Sequence, residues 1–234
     1  MTRSPAGRPP PHPPAASGPP VPPATLAEPL EIAAGEWPTR ELYLLLTGLV
    51  VPRPIAWVST VGVDGVRNLA PHSYFTLVSH HPPHVAFSST GVRDTLTNVR
   101  ARGEFVVNIV TSGLVERMNL TATDFPPGED EFAWAGLTAA PAARVGVPRV
   151  AEARAHLECR LAQEVPVGDA TLVIGEVVHV HVDPGVWRDG RVDPALLDPV
   201  GRLAGTGYAT LGEIFTLARD RWDRIANTRP DRRD

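Results

Sequence analysis

The sequence predicts a mainly β protein in which antiparallel strands form a barrel with a few short helices. Segments rich in β-branched and aromatic residues, such as 53–61 and 170–182, have the composition of strands. Tight-turn signals stand between neighbouring strands, for example at Asp64-Gly65 and Gly168-Asp169. Only two or three short segments have helical character, and neither a repeat nor a second folded domain is evident.

The composition excludes several classes of protein. The formal net charge is −4 and no basic stripe is present, which argues against a nucleic-acid partner. The chain of 234 residues contains no lysine, so a lysine Schiff base, and with it the usual attachment of pyridoxal phosphate, is excluded. Its single cysteine, Cys159, rules out an intrachain disulfide and favours a reducing compartment.

Three regions follow from the composition along the chain. Residues 1–36 form a proline-rich tail that we predict to be disordered and without chemistry, although its proline runs also resemble docking motifs. Residues 37–218 form the folded domain, and 219–234 form an arginine-rich tail. Because no apolar run could span a bilayer and no secretory signal is present, we expect a soluble cytoplasmic protein without a membrane partner.

The first elements are a helix and two paired strands. Thr39 is suited to cap a helix over 40–46. A strand over 53–61 is followed by the Asp-Gly turn and by a returning strand over 67–78. Pro71 within the returning strand predicts an edge, a bulge or a bend there, because proline cannot donate to a sheet ladder.

The next elements surround a second helix. A third strand covers 84–88, and either Asp94 or Thr95 is suited to cap a helix that reaches about Ala101 and stops at Gly103. The later elements are a strand over 104–110 that is buried on both faces, a helical segment at 113–121, a surface loop at 125–136 anchored by Phe132 and Trp134, a strand at 153–165 with Cys159 on its core face, and a long strand at 170–182.

The strongest chemical signal is an anion site between the third strand and the second helix. Ser88, Ser89 and Thr90 bring hydroxyl groups to the start of this helix, whose N–H groups and partial positive charge favour an anion. Arg93 adds a planar donor suited to phosphate, and Asp94 and Thr95 follow it. An ordinary capped turn with a surface arginine is the alternative.

The strand over 68–75 is a second candidate site, because its polar and aromatic side chains alternate around Pro71 and could hold a planar ring. A bent strand without a ligand is the alternative. Within it, His72 is a candidate catalytic residue, as a proton donor or a ring contact, and a hydrogen-bonded structural histidine is the other interpretation.

The remaining motifs predict no further chemistry. His80, His81 and His84 are close in sequence, and His179 and His181 share one strand face. No carboxylate or thiol stands at a recognisable ligand spacing from them, so no metal site is predicted. The glycines of 201–207 do not match a dinucleotide fingerprint, and no phosphate-binding P-loop motif is present.

Taken together and in order, five segments resemble the flavin reductase-like family, whose members have an FMN-binding split β-barrel with a Greek-key-like antiparallel arrangement. The resemblance covers about residues 40–218. The matching segments are PRPIAWVST (52–60), NLAPHSYF (68–75), RDTLTN (93–98), GEFVVN (103–108) and GRLAGTGY (201–208). The sequence departs from the family pattern at Arg93, where lysine is frequent, and at Ala204, where glycine is usual.

The resemblance implies roles for particular residues. Ser59 and Thr60, with the strand Pro71 to Tyr74, would line the isoalloxazine ring of the flavin, and Asn98 would brace the second helix. Arg202 and Tyr208 would approach the flavin edge, either within one chain or across a dimer interface. The complete set of implied cofactor-binding residues is Arg53, Ser59, Thr60, Pro71, His72, Ser73, Tyr74, Ser88, Ser89, Arg93, Asp94, Thr95, Asn98, Arg202 and Tyr208.

The resemblance also implies a function. A homodimer would bind FMN, or alternatively FAD, take hydride from NAD(P)H as co-substrate, and pass electrons to flavin or to a partner such as a flavin-dependent oxygenase. Two alternatives remain open at this point: an FMN-binding electron carrier without dedicated NAD(P)H activity, and a split-barrel oxidase acting on a small molecule.

Overall fold

The computed structural model describes residues 30–222. The predicted tails therefore fall largely outside the described residues, which exclude 1–29 and 223–234. The described chain divides after Leu42, so that residues 30–42 belong to one unit and residues 43–222 to another. The strands and the candidate site lie in the second unit.

The described residues contain five α-helices. They are α1 (Thr39–Leu49), α2 (Asp94–Arg102), α3 (Val115–Leu120), α4 (Glu131–Trp134) and α5 (Pro194–Leu197). Short 3-10 turns cover Ser112–Leu114 and Pro184–Val186. Within residues 30–222, no helix is both long enough and apolar enough to cross a bilayer.

Fourteen strands are present in the described part of the chain. They are β1 (Arg53–Pro54), β2 (Ala56–Val61), β3 (Arg67–His72), β4 (Phe75–His80), β5 (Pro83–Thr90), β6 (Glu104–Ile109), β7 (Ala139–Ala140), β8 (Arg149–Val150), β9 (Ala155–Val167), β10 (Ala170–Val182), β11 (Trp187–Arg188), β12 (Arg191–Val192), β13 (Gly201–Arg202) and β14 (Tyr208–Ala209).

Seven antiparallel strands form the main sheet, in the order β3-β2-β6-β9-β10-β5-β4. The two edge strands, β3 and β4, are consecutive in the chain and are joined by only Ser73 and Tyr74. Since two residues span only a few ångströms, the opposite edges of the sheet must meet at this corner. The two ends of the sheet contact each other there, because Nδ1 of His72 on β3 lies 3.2 Å from the carbonyl oxygen of Ser88 on β5, the neighbour of β4. The sheet is thus rolled into a split barrel, and the predicted fold class is confirmed.

Two predicted strands are each broken in the structure. The segment 53–61 is interrupted at Ile55, so that β1 leaves the main sheet and pairs with β13. The segment 67–78 is interrupted at Ser73 and Tyr74, two residues beyond the proline. Pro71 lies in the edge strand β3, in regular register with Trp57 of β2. Of the edge, bulge and bend that were predicted at Pro71, the edge is therefore correct.

The second helix begins one residue earlier than predicted. Arg93 has the extended conformation of an N-cap, and Asp94 is already helical, so the prediction of Asp94 or Thr95 as the cap is wrong. The predicted stop at Gly103 is confirmed, since this residue has a left-handed φ of 69° that glycine adopts without strain.

The predicted loop at 125–136 contains the short helix α4, which begins because the Asp130 carboxylate accepts from Phe132 N and Ala133 N. Phe132 is fully buried, whereas Trp134 is exposed and stacks on Phe125. The prediction of two anchors is therefore right for Phe132 and wrong for Trp134.

Two apolar clusters lie on opposite faces of the sheet. The barrel interior contains Val58, Phe87 and Phe105. On the other face, Trp57 packs with Met118 of α3 and Phe132 of α4. β6 is buried along most of its length, as predicted. Because β2 contributes Val58 to one cluster and Trp57 to the other, the polar side chains on this strand are also buried and need partners within the protein.

Candidate functional site

The corner between β3 and β4 separates two clefts, and most of the predicted site residues lie in one or the other. The helix cleft, about 460 Å³, is lined by Asn68, Ala70, Pro71, His72, Val92–Thr95, Thr121–Phe125, Pro127 and Glu131. The corner cleft, about 540 Å³, is lined by Leu46, Thr47, Val50, Pro52–Pro54 and Ser73–Thr76. Pro71 and His72 thus face one cleft, while Ser73 and Tyr74 line the other.

The helix cleft contains the start of α2. Arg93, as N-cap, makes no side-chain cap hydrogen bond, so the first-turn N–H groups of Asp94 and Thr95 are not capped from that side chain. Its guanidinium donates to Asp124 Oδ1 at 2.8 Å across the cleft, and the two side chains are 65% and 83% exposed. An exposed pair of this kind contributes at most about 1 kcal/mol, so a phosphate could displace the Asp124 carboxylate from Arg93.

A buried hydrogen-bond cluster supports α2 from below. Thr60 Oγ1 accepts from Asn68 Nδ2 at 3.0 Å and from Asn98 Nδ2 at 3.1 Å. Asn68 Nδ2 also donates to Thr95 Oγ1 at 3.0 Å. These contacts tie strands β2 and β3 to the first and second turns of α2. Thr60, Thr95 and Asn98 therefore stabilise the helix start from the protein interior.

The predicted serines lie in different surroundings. Ser59 is fully buried, and its hydroxyl donates to Pro148 O at 2.6 Å. Ser88 is half-buried on β5 and its carbonyl lies 3.2 Å from His72 Nδ1. Ser89 is buried, and its Oγ has no hydrogen-bond partner among the described residues. Neither Ser88 nor Ser89 lines a cleft: Ser88 meets the helix cleft only through its carbonyl contact to His72, and Ser59 is bonded within the core.

His72 is held as a neutral imidazole. Because a carbonyl only accepts, the contact to Ser88 O requires the proton to be on Nδ1. Burial lowers the pKa of His72 to about 4, and the hydrogen bond to Ser88 only partly opposes this effect. Nε2 is buried with no partner among the described residues, and the ring packs 4.7 Å from that of Phe87. In this state, Nε2 can accept a hydrogen bond but cannot donate a proton.

Arg53 shapes the corner cleft. Its guanidinium is buried and donates to Thr47 O at 2.7 Å, Val50 O at 2.9 Å and Leu203 O at 2.9 Å. It also lies 5.8 Å from the centre of the Tyr74 ring. Arg53 therefore fixes the chain after α1 and the loop after β13 beside the corner.

Arg202 and Tyr208 lie outside the two clefts. Arg202 is the register partner of Arg53 in the small sheet, and its guanidinium stacks 4.5 Å from the centre of the Tyr208 ring. The Tyr208 hydroxyl donates to Asn119 Oδ1 at 2.8 Å. The structure thus brings these two residues to each other without placing either in a cleft of this chain.

Glu131 is a residue of the helix cleft that the sequence did not indicate. It is the first residue of α4, it is buried, and its Oε2 accepts from Leu69 N at 3.1 Å. Burial raises the pKa of Glu131, and the hydrogen bonds from backbone N–H groups only partly oppose this. Asp130 is a typical N-cap residue and could have indicated the start of α4. No local pattern indicates that α4 packs on β3 and brings Glu131 into the cleft.

The residues present fit a flavin that carries a phosphate group. The helix cleft offers Arg93 and the N–H groups of α2 to one phosphate group. His72 Nε2, in the wall of this cleft, is a buried acceptor without a partner among the described residues, and the hydroxyl groups and the ring N–H of a flavin are donors that could satisfy it. The corner cleft next to His72 is mainly apolar, as a planar ring requires.

Comparison with known proteins gives matches over most of the folded chain. The family model of the flavin reductase like domain matches residues 48–197. An uncharacterised protein of Halalkalibacterium halodurans is 40% identical over 191 residues, which cover 77% of this chain and 91% of the relative.

Two crystal structures are similar to this chain in both fold and sequence. Nitrilotriacetate monooxygenase component B from Bacillus cereus has a TM-score of 0.79 and 39% identity, over 82% of this chain and 100% of the other. The 2-nitrobenzoate 2-nitroreductase NbaA of Pseudomonas fluorescens has a TM-score of 0.76 and 31% identity, over 82% and 96%.

Proposed function

The chain belongs to the flavin reductase-like family, and on this premise we propose that it is an FMN-binding oxidoreductase that takes hydride from NAD(P)H and passes electrons to flavin or to a partner protein. The observation that carries the proposal is that the start of α2, with Arg93 and no side-chain cap, and an apolar cleft lie on the two sides of one strand corner. A ligand with a phosphate at one end and a planar ring at the other matches this arrangement.

Each part of the site has a separate task in this proposal. Arg93 and the first-turn N–H groups of α2 bind the phosphate, and the cluster of Thr60, Asn68 and Asn98 holds that helix start in place. The backbone from Pro71 to Tyr74 lies along the ring. When bound, the flavin supplies the hydride-accepting and electron-releasing chemistry, so the protein needs no acid–base triad.

A single anion site favours FMN over FAD, because the described residues of the helix cleft offer one arginine and one helix start. His72, the candidate catalytic residue, then acts by accepting a hydrogen bond at Nε2 and not by donating a proton. Ser88, Ser89, Asp94 and Thr95 complete the surroundings of the phosphate and the ribityl chain.

We further propose that the acceptor is a partner oxygenase that uses reduced flavin. The support is the name of the similar structure from Bacillus cereus, which is a component of a monooxygenase. A cytoplasmic location remains the expectation for such a reductase.

Anaerobic spectroscopy tests the proposal. Purified protein is stripped of any ligand, titrated with FMN, and then mixed with NADH or NADPH without oxygen. We expect retained flavin absorbance that bleaches with at least one of the two donors. Flavin that is retained but does not bleach contradicts the reductase assignment and favours the electron carrier, whereas failure to retain FMN contradicts flavin binding itself.

A further inference from the structure

We infer that Glu158, His179 and His181 form a binding site for a divalent transition-metal ion, with zinc as the first candidate. One ligand atom from each of these three side chains lies within 4.8 Å of the others. The site is on strands β9 and β10, away from both clefts of the corner. Ala170 of β10 pairs with Thr90 at the end of β5, which leads to the helix cleft. His179 lies nine residues further along β10, so roughly 30 Å of strand separates the metal site from the helix cleft.

The strand register brings the ligands together. His179 pairs with Glu158, and His181 pairs with His156. Because alternate residues of a strand share a face, these four side chains occupy one face of the β9–β10 ribbon. The sequence shows only two histidines spaced by one residue, because the carboxylate comes from the neighbouring strand. Spacing along the chain therefore could not reveal this site.

The carboxylate is held in place before any ion arrives. Glu158 is fully buried, and its two oxygens accept from Ala143 N at 2.7 Å and Arg144 N at 2.6 Å. Its Oε1 also lies 2.5 Å from His181 Nε2. The backbone contacts alone explain why an acid can be buried here, but they do not account for the two histidines in front of it.

His156 gives an independent indication of a ligand. This side chain is only 2% exposed, and its Nε2 lies 2.7 Å from Val150 O, which requires Nε2 to carry the proton. Its Nδ1 is then a lone-pair acceptor, buried without a partner among the described residues. The ring is 5.8 Å from that of His181. Because the converging ligand atoms belong to Glu158, His179 and His181, a water bound to the ion is the group that would satisfy this unpaired nitrogen.

The donor set selects the class of ion. Imidazole and carboxylate together suit zinc and neighbouring first-row ions, whereas calcium and magnesium prefer oxygen ligands. His179 and His181 are both partly exposed, so an ion can enter from solvent. A cleft of about 400 Å³ adjoins His156 and His181 and contains Arg149 and Arg154 in its wall. Three protein ligands with an accessible face leave a coordination position for water or an anion.

Zinc titration of the full-length chain tests the site. Protein treated with a chelator and freed of flavin is titrated with Zn²⁺ in a calorimeter, and X-ray absorption is recorded on the product. We expect one ion per chain, with a first shell of nitrogen and oxygen at about 2.0–2.1 Å. His179→Gln and His181→Gln should each weaken binding at least about tenfold, since each removes one ligand.

A matched control separates this cluster from other histidines. The double variant His80→Gln/His81→Gln removes two exposed neighbouring histidines and should bind zinc like the wild type. Unchanged thermal melting of each variant without metal shows that the fold is intact. No saturable binding by the wild type, or binding by His179→Gln and His181→Gln as tight as that of the wild type, would overturn the inference. FMN binding is measured separately, so neither result bears on the proposed flavin site.

Discussion

Arg93 is the residue on which the affinity for FMN should depend most directly. Arg93→Ala removes a charge-assisted contact to the phosphate, which contributes roughly 1.5–3 kcal/mol, so we expect the Kd for FMN to rise about 10- to 100-fold. The Kd for riboflavin, which has no phosphate, should change little. Fluorescence titration with both ligands measures the two effects.

Arg100→Ala is the matched control for this change. Arg100 lies on the same helix, but its Nε donates to Glu164 Oε2 at 2.9 Å and it does not line the helix cleft. Its removal should leave both affinities unchanged. If Arg93→Ala and the control behave alike, or if riboflavin loses as much affinity as FMN, Arg93 is not a phosphate ligand.

His72 should make the stability of the ligand-free protein depend on pH. Burial lowers its pKa to about 4 from the ordinary value of 6.5. The unfolded chain then binds more protons than the native state between these values, so the His72 contribution to stability is complete above about pH 6.5 and is lost as the pH falls towards 4. The loss is at most about 3 kcal/mol.

His72→Gln removes the titrating group, and denaturant unfolding at several pH values measures the result. The free energy of unfolding of the wild type, relative to that of the variant, should fall between pH 6.5 and pH 4.5 and stay constant from pH 7 to pH 8. A difference that does not change with pH would mean that His72 is not held neutral by burial.

At the scale of single residues, the sequence indicates which side chains can bind a ligand, but it does not indicate which hydrogen-bond partners surround them. Arg93 was identified from its place between a hydroxyl-rich strand end and a helix, and this order is local. Ser59 and Ser89 look alike in the sequence, yet one donates to a backbone oxygen in the core and the other has no partner. That difference depends on what another part of the chain places opposite each hydroxyl, which local sequence does not contain.

The strands show how one element constrains another. Gly175 on β10 faces the ring of Phe105 on β6, and a Cβ built at Gly175 would lie 2.7 Å from Phe105 Cε1. Gly175→Ala should therefore overpack the barrel interior and lower the free energy of unfolding by about 1–3 kcal/mol. Chemical denaturation measures this change.

A double-mutant cycle identifies the cause of the loss. Phe105→Leu removes the atoms that the added methyl group would meet, so Gly175→Ala should cost clearly less in that background. An equal cost in both backgrounds would assign the effect to the strand backbone and not to the contact with Phe105.

At the scale of elements, the sequence predicts whether a segment is a helix or a strand, but it does not predict where a strand is interrupted. The helix α2 ends at Gly103 as expected, because the left-handed conformation there is a local property of glycine. The segment 67–78 was expected as one strand, because its composition does not change at Ser73 and Tyr74. The break there follows from the strand order, since β3 and β4 occupy opposite edges of one rolled sheet.

For the whole molecule, the same arrangement of edge strands produces the site. The corner between β3 and β4 sets the helix cleft and the corner cleft side by side, and only the ordered set of motifs along the chain predicted that they would meet. The cluster around Glu158 had no such set of motifs, because its ligands meet through the register of two strands of 13 residues each. Contacts set by register are therefore the part of this protein that its sequence conceals.

The edge strand β4 gives the prediction of a dimer a physical basis. Leu77 is 70% exposed, its neighbour Val78 is also exposed, and no described residue pairs with the free edge of this strand. An uncovered apolar edge favours association. Tyr74, which lines the corner cleft, directly precedes this strand, so the edge and the cleft are adjacent.

We expect the wild type to be a dimer of 25.1 kDa chains by light scattering, and Leu77→Glu to be a monomer with weaker FMN binding. Val63→Glu, at an 81% exposed hairpin tip, is the control and should remain a dimer. A monomeric wild type, or a Leu77→Glu variant that stays dimeric, would show that this edge is not the interface.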